Sequence, residues 1–342
     1  MDIKEIKSKF PIFKNKINGK QLVYLDSANS SQKPKTVIDR ISKFYSKEFS
    51  NIGRSVHSLA VTATNRFEET RNMMQKFINA KHREEIIFTK NATEAINLIA
   101  STYGDKFIKE GDEIIITELE HHANYVPWHF IRQKKGAIIK FAKCNDKGEV
   151  EIDEIKKLIT NKTKIIAITH LSNVTGAIMP IKKIVDLANE KKIPVLVDGC
   201  QGAPHLKIDM QELGCDFYAI SCHKMYGPTG VGVLYAKKKW LDVLPPYQGG
   251  GGMIEEVKKD HITFPGSPTK YEAGTLQTAE VVGFSESLKF IEDVGIKNIM
   301  EHEKEILEYG LDEIKKNNSV KIIGDPKVRG SIISFTIKGI HP

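Results

Sequence analysis

Pro194-Val195-Leu196-Val197-Asp198 and Asp216-Phe217-Tyr218-Ala219-Ile220-Ser221 are two short apolar runs, each closing on a polar residue and each followed by chain that contains glycine. Apolar runs this short, with little polar alternation, read as strands covered on both faces. Working outward, the same signature predicts strands over Glu85–Thr89, Glu113–Thr117, Ala137–Phe141, Lys164–Thr169 and Gly230–Ala236. Helical spacing fills the intervals Thr93–Tyr103, Ala123–Lys135, Ile152–Ile159 and Ile181–Lys192. Strand and helix in alternation predict an α/β fold on a mostly parallel sheet, and in such sheets ligands gather beyond the strand carboxyl ends.

From Tyr247 to Gly274 the character changes: Gly249 to Gly252 stand in a row, followed by prolines and scattered polar residues. This stretch is expected to supply active-site loops and a crossover between domains. Beyond it, Thr278–Val294 and Ile296–Lys316 are predicted helices, and Val320–Ile323 and Ser331–Ile337 predicted strands of a small α/β unit. A length of 342 residues suits one large and one smaller domain. The expected division is an N-terminal segment at 1–24, a large domain at 25–265, and a crossover with an incomplete small domain at 266–342.

The hydrophobic share of 40% and charged share of 27% are those of an ordinary globular chain. No apolar run approaches the ~20 residues of a membrane span, and Met1 to Phe13 lacks the pattern of a signal or transit peptide. A cytoplasmic location without a membrane partner is therefore expected. The net charge of +8 comes from scattered lysines such as Lys156, Lys157, Lys182, Lys183, Lys191 and Lys192, which predicts a solvated surface and no nucleic-acid partner. Cys144, Cys200, Cys215 and Cys222 form no CxxC pair, so neither a disulfide framework nor a metal site is indicated.

Chemistry concentrates in Ser221-Cys222-His223-Lys224-Met225-Tyr226-Gly227-Pro228-Thr229-Gly230. A lysine just past a buried strand can act as an amine nucleophile, and the glycines let backbone approach a bulky cofactor. Taken alone, Lys224 would be a surface residue in a turn. Upstream, however, Val197-Asp198-Gly199-Cys200-Gln201 ends an apolar strand on an acid. Asp198 can pair with a pyridinium nitrogen, and a lysine partnered by such a carboxylate is what pyridoxal 5'-phosphate asks of a protein. An isolated Asp at a strand end would more often cap a helix or ligate a metal.

These segments, with Tyr24-Leu25-Asp26-Ser27-Ala28, Glu120-His121-His122-Ala123-Asn124, Thr169-His170-Leu171-Ser172-Asn173-Val174-Thr175-Gly176 and Tyr271-Glu272-Ala273-Gly274-Thr275, give a resemblance. The chain resembles the class V aminotransferase group of fold type I pyridoxal phosphate enzymes, and within it the group II cysteine desulfurases. The resemblance implies a large domain with a mostly parallel seven-stranded sheet and a smaller α/β domain. It implies a homodimer that takes sulfur from L-cysteine, leaves L-alanine, and passes the sulfur to an acceptor or scaffold protein of iron-sulfur cluster assembly. Lys224 would form the Schiff base. His121 would stack on the ring and move protons, whereas His122 reads better as a loop residue capping the next helix.

Asn173 and Gln201 would hydrogen-bond the phenolic oxygen, and Asn91, Ala92, Thr93, Ser221 and His223 would hold the phosphate at a helix N-terminus. Thr275 would reach in from the partner subunit. Ala92 departs from the hydroxyl residue usual in the family, which leaves backbone N–H groups at that position. Arg54 and His57 resemble the segment near the substrate entrance, with an exposed loop pair as the alternative. The family's sulfur-accepting cysteine and carboxylate-binding arginine are expected beyond Pro342. Burial beside the strand ends would make Cys200 and Cys222 inert thiols. Two alternatives stay open: a pyridoxal phosphate-binding remnant without turnover, and a selenocysteine lyase or other class V enzyme.

Overall fold

Strands covered on both faces must be largely apolar, and such runs build most of the central sheet. The structure, a computed structural model, describes residues 2–53 and 55–341. Ile86–Thr89 (β1), Glu113–Thr117 (β2), Ile138–Ala142 (β3), Thr163–Thr169 (β4), Val195–Asp198 (β5), Phe217–Ser221 (β6) and Gly232–Ala236 (β7) form a seven-stranded sheet in the order β1-β7-β6-β5-β4-β2-β3. The pairs β2–β3, β2–β4, β4–β5 and β5–β6 are parallel, and β1 runs antiparallel to β7. Every residue of β1, β2, β5, β6 and β7 is buried, whereas β3, at one edge, exposes Ile138 and Phe141. The expected strands agree with these to within a residue or two.

The helices that were predicted differ from expectation mainly at their ends, whereas Lys35–Lys43 and Ser58–Phe77 were not predicted. Ala92–Phe107 runs one turn longer than predicted. The helix expected from Ala123 starts at Val126, because a 3-10 turn at His122–Asn124 comes first and Pro127 suits a first helical turn. It stops at Gly136, whose φ of 71° takes the left-handed region that glycine tolerates. The predicted strand Ser331–Ile337 shortens to Ser334–Ile337 and pairs antiparallel with Val320–Ile323. No helix among the described residues is long and apolar enough to cross a membrane.

The chain divides into two compact units, Met1–Ala95 with Asp209–Gln211 and Ile220–Gly295, and Ile96–Ile208 with Glu212–Ala219 and Ile296–Pro342. In the first, the helix Ser58–Phe77 buries Ala60, Ala63, Phe67, Thr70, Arg71 and Met74. The Phe67 and Phe88 rings meet edge to face at 5.1 Å. Arg71, 1% exposed, makes a two-pronged pair with Glu272 at 2.7 and 2.8 Å, and Glu272 also accepts from the Phe88 N–H at 2.7 Å. In the second unit the indole of Trp128 is fully buried, and its Nε1 donates to Asn124. At the start of β2, Glu113 accepts from Lys140, Thr160 and Thr163, which holds its carboxyl below the usual range although burial opposes this.

Candidate active site

In the first unit β6 ends at Ser221, and a 3-10 turn over Cys222–Lys224 follows. Lys224 and His223 are half-buried there. The hydroxyl oxygen of Ser221 accepts from Ala92 N at 3.0 Å, the first residue of the helix Ala92–Phe107. Asn91 caps that helix, its Oδ1 accepting from Glu94 N at 2.9 Å, and Thr93 is exposed on its first turn. Gly232 makes this approach possible, since a Cβ there would lie 2.4 Å from the carbonyl carbon of Asn91. The predicted phosphate residues Asn91, Ala92 and Ser221 thus meet at one helix N-terminus, where the helix dipole favours an anion, although the N–H groups of Ala92 and Glu94 are already taken by Ser221 and Asn91.

His223 Nδ1 lies 3.1 Å from Ser30 Oγ, and burial, helped by the charges of Lys224 and Lys33, pushes its imidazole down to about 4. Burial also lowers the Lys33 ammonium to about 8. His57 caps the helix Ser58–Phe77 by accepting from Ala60 N at 3.3 Å, and its neighbours Gly53 and Ser55 line a cleft with the exposed Thr275. Arg54 lies outside the described residues.

In the second unit β5 ends at Asp198, 4% exposed, whose Oδ1 accepts from Cys200 N at 3.0 Å. Gln201 is 3% exposed at the start of the next helical turn. Asn173 is half-buried in the turn after β4, where Ser172 Oγ accepts from the N–H groups of Val174 and Thr175, both at 3.2 Å. The capping role expected of His122 falls to His121, whose Nδ1 accepts from Ala123 N at 3.1 Å; its one-residue-earlier position gives it the extended backbone a cap requires. The half-buried Glu120 beside it accepts from Thr117, Asn124 and Thr169 N.

Register orders the strand ends. Asp198 pairs with Thr169 of β4 and with Ala219 of β6, two positions before Ser221. These strands are parallel, so all three leave the sheet at their carboxyl ends in the same direction. The side chains supply an amine, a buried carboxylate, amides, imidazoles and a helix N-terminus. By their chemistry, the groups of the first unit suit an aldehyde and a phosphate, and those of the second suit a basic ring nitrogen.

Sequence reasoning missed several residues that shape this region. Ser31 and Lys33 touch the backbone of His223 across some 190 positions of sequence. Tyr218 and His170 are buried partners at 2.8 Å, and burial pushes His170 down to about 4. Only polarity inside an otherwise apolar strand could have flagged Tyr218. Among the cysteines, Cys215 and Cys222 are fully buried and Cys200 half-buried. The Cys144 thiol is pushed up by burial and by Glu118 and Glu149.

The family described as "Aminotransferase class-V" matches residues 23–342. The chain belongs to the class-V aminotransferase family. Among its relatives in that family, a cysteine desulfurase of Wigglesworthia glossinidia brevipalpis is 46% identical over 341 residues, which is 99% of this chain and 83% of the relative. A probable cysteine desulfurase of Mycolicibacterium paratuberculosis is 44% identical over 341 residues, and this chain spans half of that relative's length. The crystal structure of the cysteine desulfurase CsdA (S-sulfonic acid) from Escherichia coli superposes with a TM-score of 0.91 at 35% identity, covering 100% of this chain and 84% of that one.

Proposed function

We propose that this class-V aminotransferase carries pyridoxal 5'-phosphate on Lys224 and acts as an L-cysteine desulfurase. The observation that supports the reading is strand register: Asp198 pairs with Ala219 of β6, the strand that runs on to Ser221 and into the turn bearing Lys224. The 46% identity to a named cysteine desulfurase supports the choice of reaction. When bound, the cofactor supplies an electron sink for charge released at the substrate Cα. Asp198 would keep the ring nitrogen protonated, Asn173 and Gln201 would hold the phenolic oxygen, and His121 would stack on the ring and move a proton. Asn91, Ala92, Thr93, Ser221 and His223 would bind the phosphate, with Thr275 contributed across a homodimer. Arg54 and His57 would lie near the substrate.

Net, L-cysteine and an acceptor thiol give L-alanine and a persulfide, which an iron-sulfur assembly protein would receive in a reducing compartment such as the cytoplasm. A second reading, cofactor binding without turnover, is favoured by one observation. Of the four thiols, two are fully buried and the Cys144 thiol is held up, while a sulfur acceptor needs an accessible thiolate. Incubation with pyridoxal phosphate should give a yellow band that Lys224→Ala abolishes, and L-cysteine should then yield alanine. A band that survives Lys224→Ala sinks the cofactor assignment. A normal band with no alanine selects the second reading.

A further inference from the structure

The turn that carries Lys224 is strapped by residues to which the resemblance assigns no task. The carbonyl oxygen of His223, one peptide before Lys224, accepts from Ser31 N at 3.1 Å, Ser31 Oγ at 3.0 Å and Lys33 Nζ at 2.9 Å. Past the lysine, the Tyr226 N–H donates to Ser31 Oγ at 2.8 Å. Ser31, 5% exposed, therefore spans the turn from His223 to Tyr226, with Lys224 and Met225 between. Tyr226 has a φ of 60°, a left-handed conformation that disfavours a bulky L-residue by ~1–2 kcal/mol. Its ring packs edge to face on Phe10 and Phe290 at 6.0 and 5.2 Å, and those two rings also meet each other at 5.4 Å. One carbonyl offers two lone pairs, so three close donors, one of them a cation, exceed what an ordinary turn requires.

We propose that Ser31 and Lys33 are positioning residues for Lys224: they clamp the strained turn so that its amine is presented in one orientation. The inference rests on the reading of Lys224 as the cofactor lysine. Capture requires the neutral amine to add to the aldehyde carbon and a water to leave, and the rate of such a step depends steeply on orientation. The half-buried Lys33 ammonium serves as a rigid donor to the peptide, a task its charge strengthens.

The test uses cofactor-free full chain as wild type, Lys33→Met, Lys33→Arg and Ser31→Ala. Pyridoxal phosphate capture is followed by growth of the yellow band. Pyridoxamine phosphate, which has an amine in place of the aldehyde and so binds without Lys224, is titrated separately. Lys33→Met and Ser31→Ala are expected to slow capture about tenfold, with pyridoxamine phosphate affinity within about twofold of wild type and Lys33→Arg recovering most of the rate. Unchanged capture rates overturn the inference alone, as does a parallel loss of pyridoxamine phosphate affinity, which marks a general structural role. A wild type that develops no band removes the cofactor reading and this inference with it.

Discussion

Ser221 takes the first N–H of the helix Ala92–Phe107 on its hydroxyl oxygen, at 3.0 Å, which leaves the hydroxyl proton available to a second acceptor. A strand end and a helix start are thereby fixed against each other where an anion would sit. Ser221→Ala removes one donor to that anion, a loss of about 1 kcal/mol or five- to tenfold in affinity. The loss should appear for pyridoxamine phosphate and not for pyridoxamine. Equal losses for both ligands in calorimetric titrations would show that the hydroxyl serves the fold and not the phosphate.

Arg71 and Glu272 anchor the stretch that leads to Thr275. Both are buried, and Arg71 also donates to the Ile86 carbonyl of β1 at 2.7 Å. Arg71→Met leaves the Glu272 carboxylate buried beside an apolar chain, which should cost about 3–5 kcal/mol. Denaturant unfolding measures it. Arg71→Met/Glu272→Leu should regain a large part, since the uncompensated charge is then gone; a double variant no better than the single one would refute this account.

How far the sequence foretold these contacts depends on their range. Most of the seven strands were legible because burial on both faces leaves apolar runs, as in Glu113-Ile114-Ile115-Ile116-Thr117. Asp198, Ser221 and Lys224 were legible because each follows such a run. The helix Ser58–Phe77 was not, since its buried face uses Ala60, Ala63 and Thr70, which give little apolar periodicity. Strand order, the pairing of Arg71 with Glu272, and the strap from Ser31 to His223 were also hidden. The last two join residues about 200 positions apart, and no local propensity encodes such a meeting or the order of the strands.

The His170 imidazole, 6% exposed with Nδ1 at 2.8 Å from the Tyr218 hydroxyl, is pushed by burial from 6.5 down to about 4. Between those values the unfolded chain takes up a proton that the folded chain refuses. The contribution of this group should therefore be intact above about pH 6.5, fall as the pH drops towards 4, and change no further below that. Burial of this depth corresponds to about 3 kcal/mol. Between pH 7 and pH 5, wild type should lose more stability than His170→Gln does, whatever other groups contribute to both, and the His170 ring signals should not titrate near 6.5. A ring that does titrate there contradicts the linkage.

Gly199 follows Asp198 because nothing larger fits. A Cβ on it would fall 1.8 Å from Cε1 and 2.2 Å from Cζ of Tyr218. That ring yields only at a cost, being fully buried with its hydroxyl tied to His170, and Gly202 closes on the same hydroxyl, where a Cβ would come within 2.7 Å. Nor can the backbone easily retreat, since Gly199 N donates to the Ala219 carbonyl at 2.9 Å and its own carbonyl accepts from Ala203 N at 2.8 Å. Gly199→Ala must therefore displace either the ring or the Asp198 carboxylate. The expected cost is about 1–3 kcal/mol, with weaker cofactor retention if the carboxylate moves. Gly199→Ala/Tyr218→Leu separates the two routes: removing the ring should make the alanine nearly neutral, a non-additivity readable in a double-mutant cycle. Additive effects would mean that the glycine is needed for its backbone conformation and not for the approach of Tyr218.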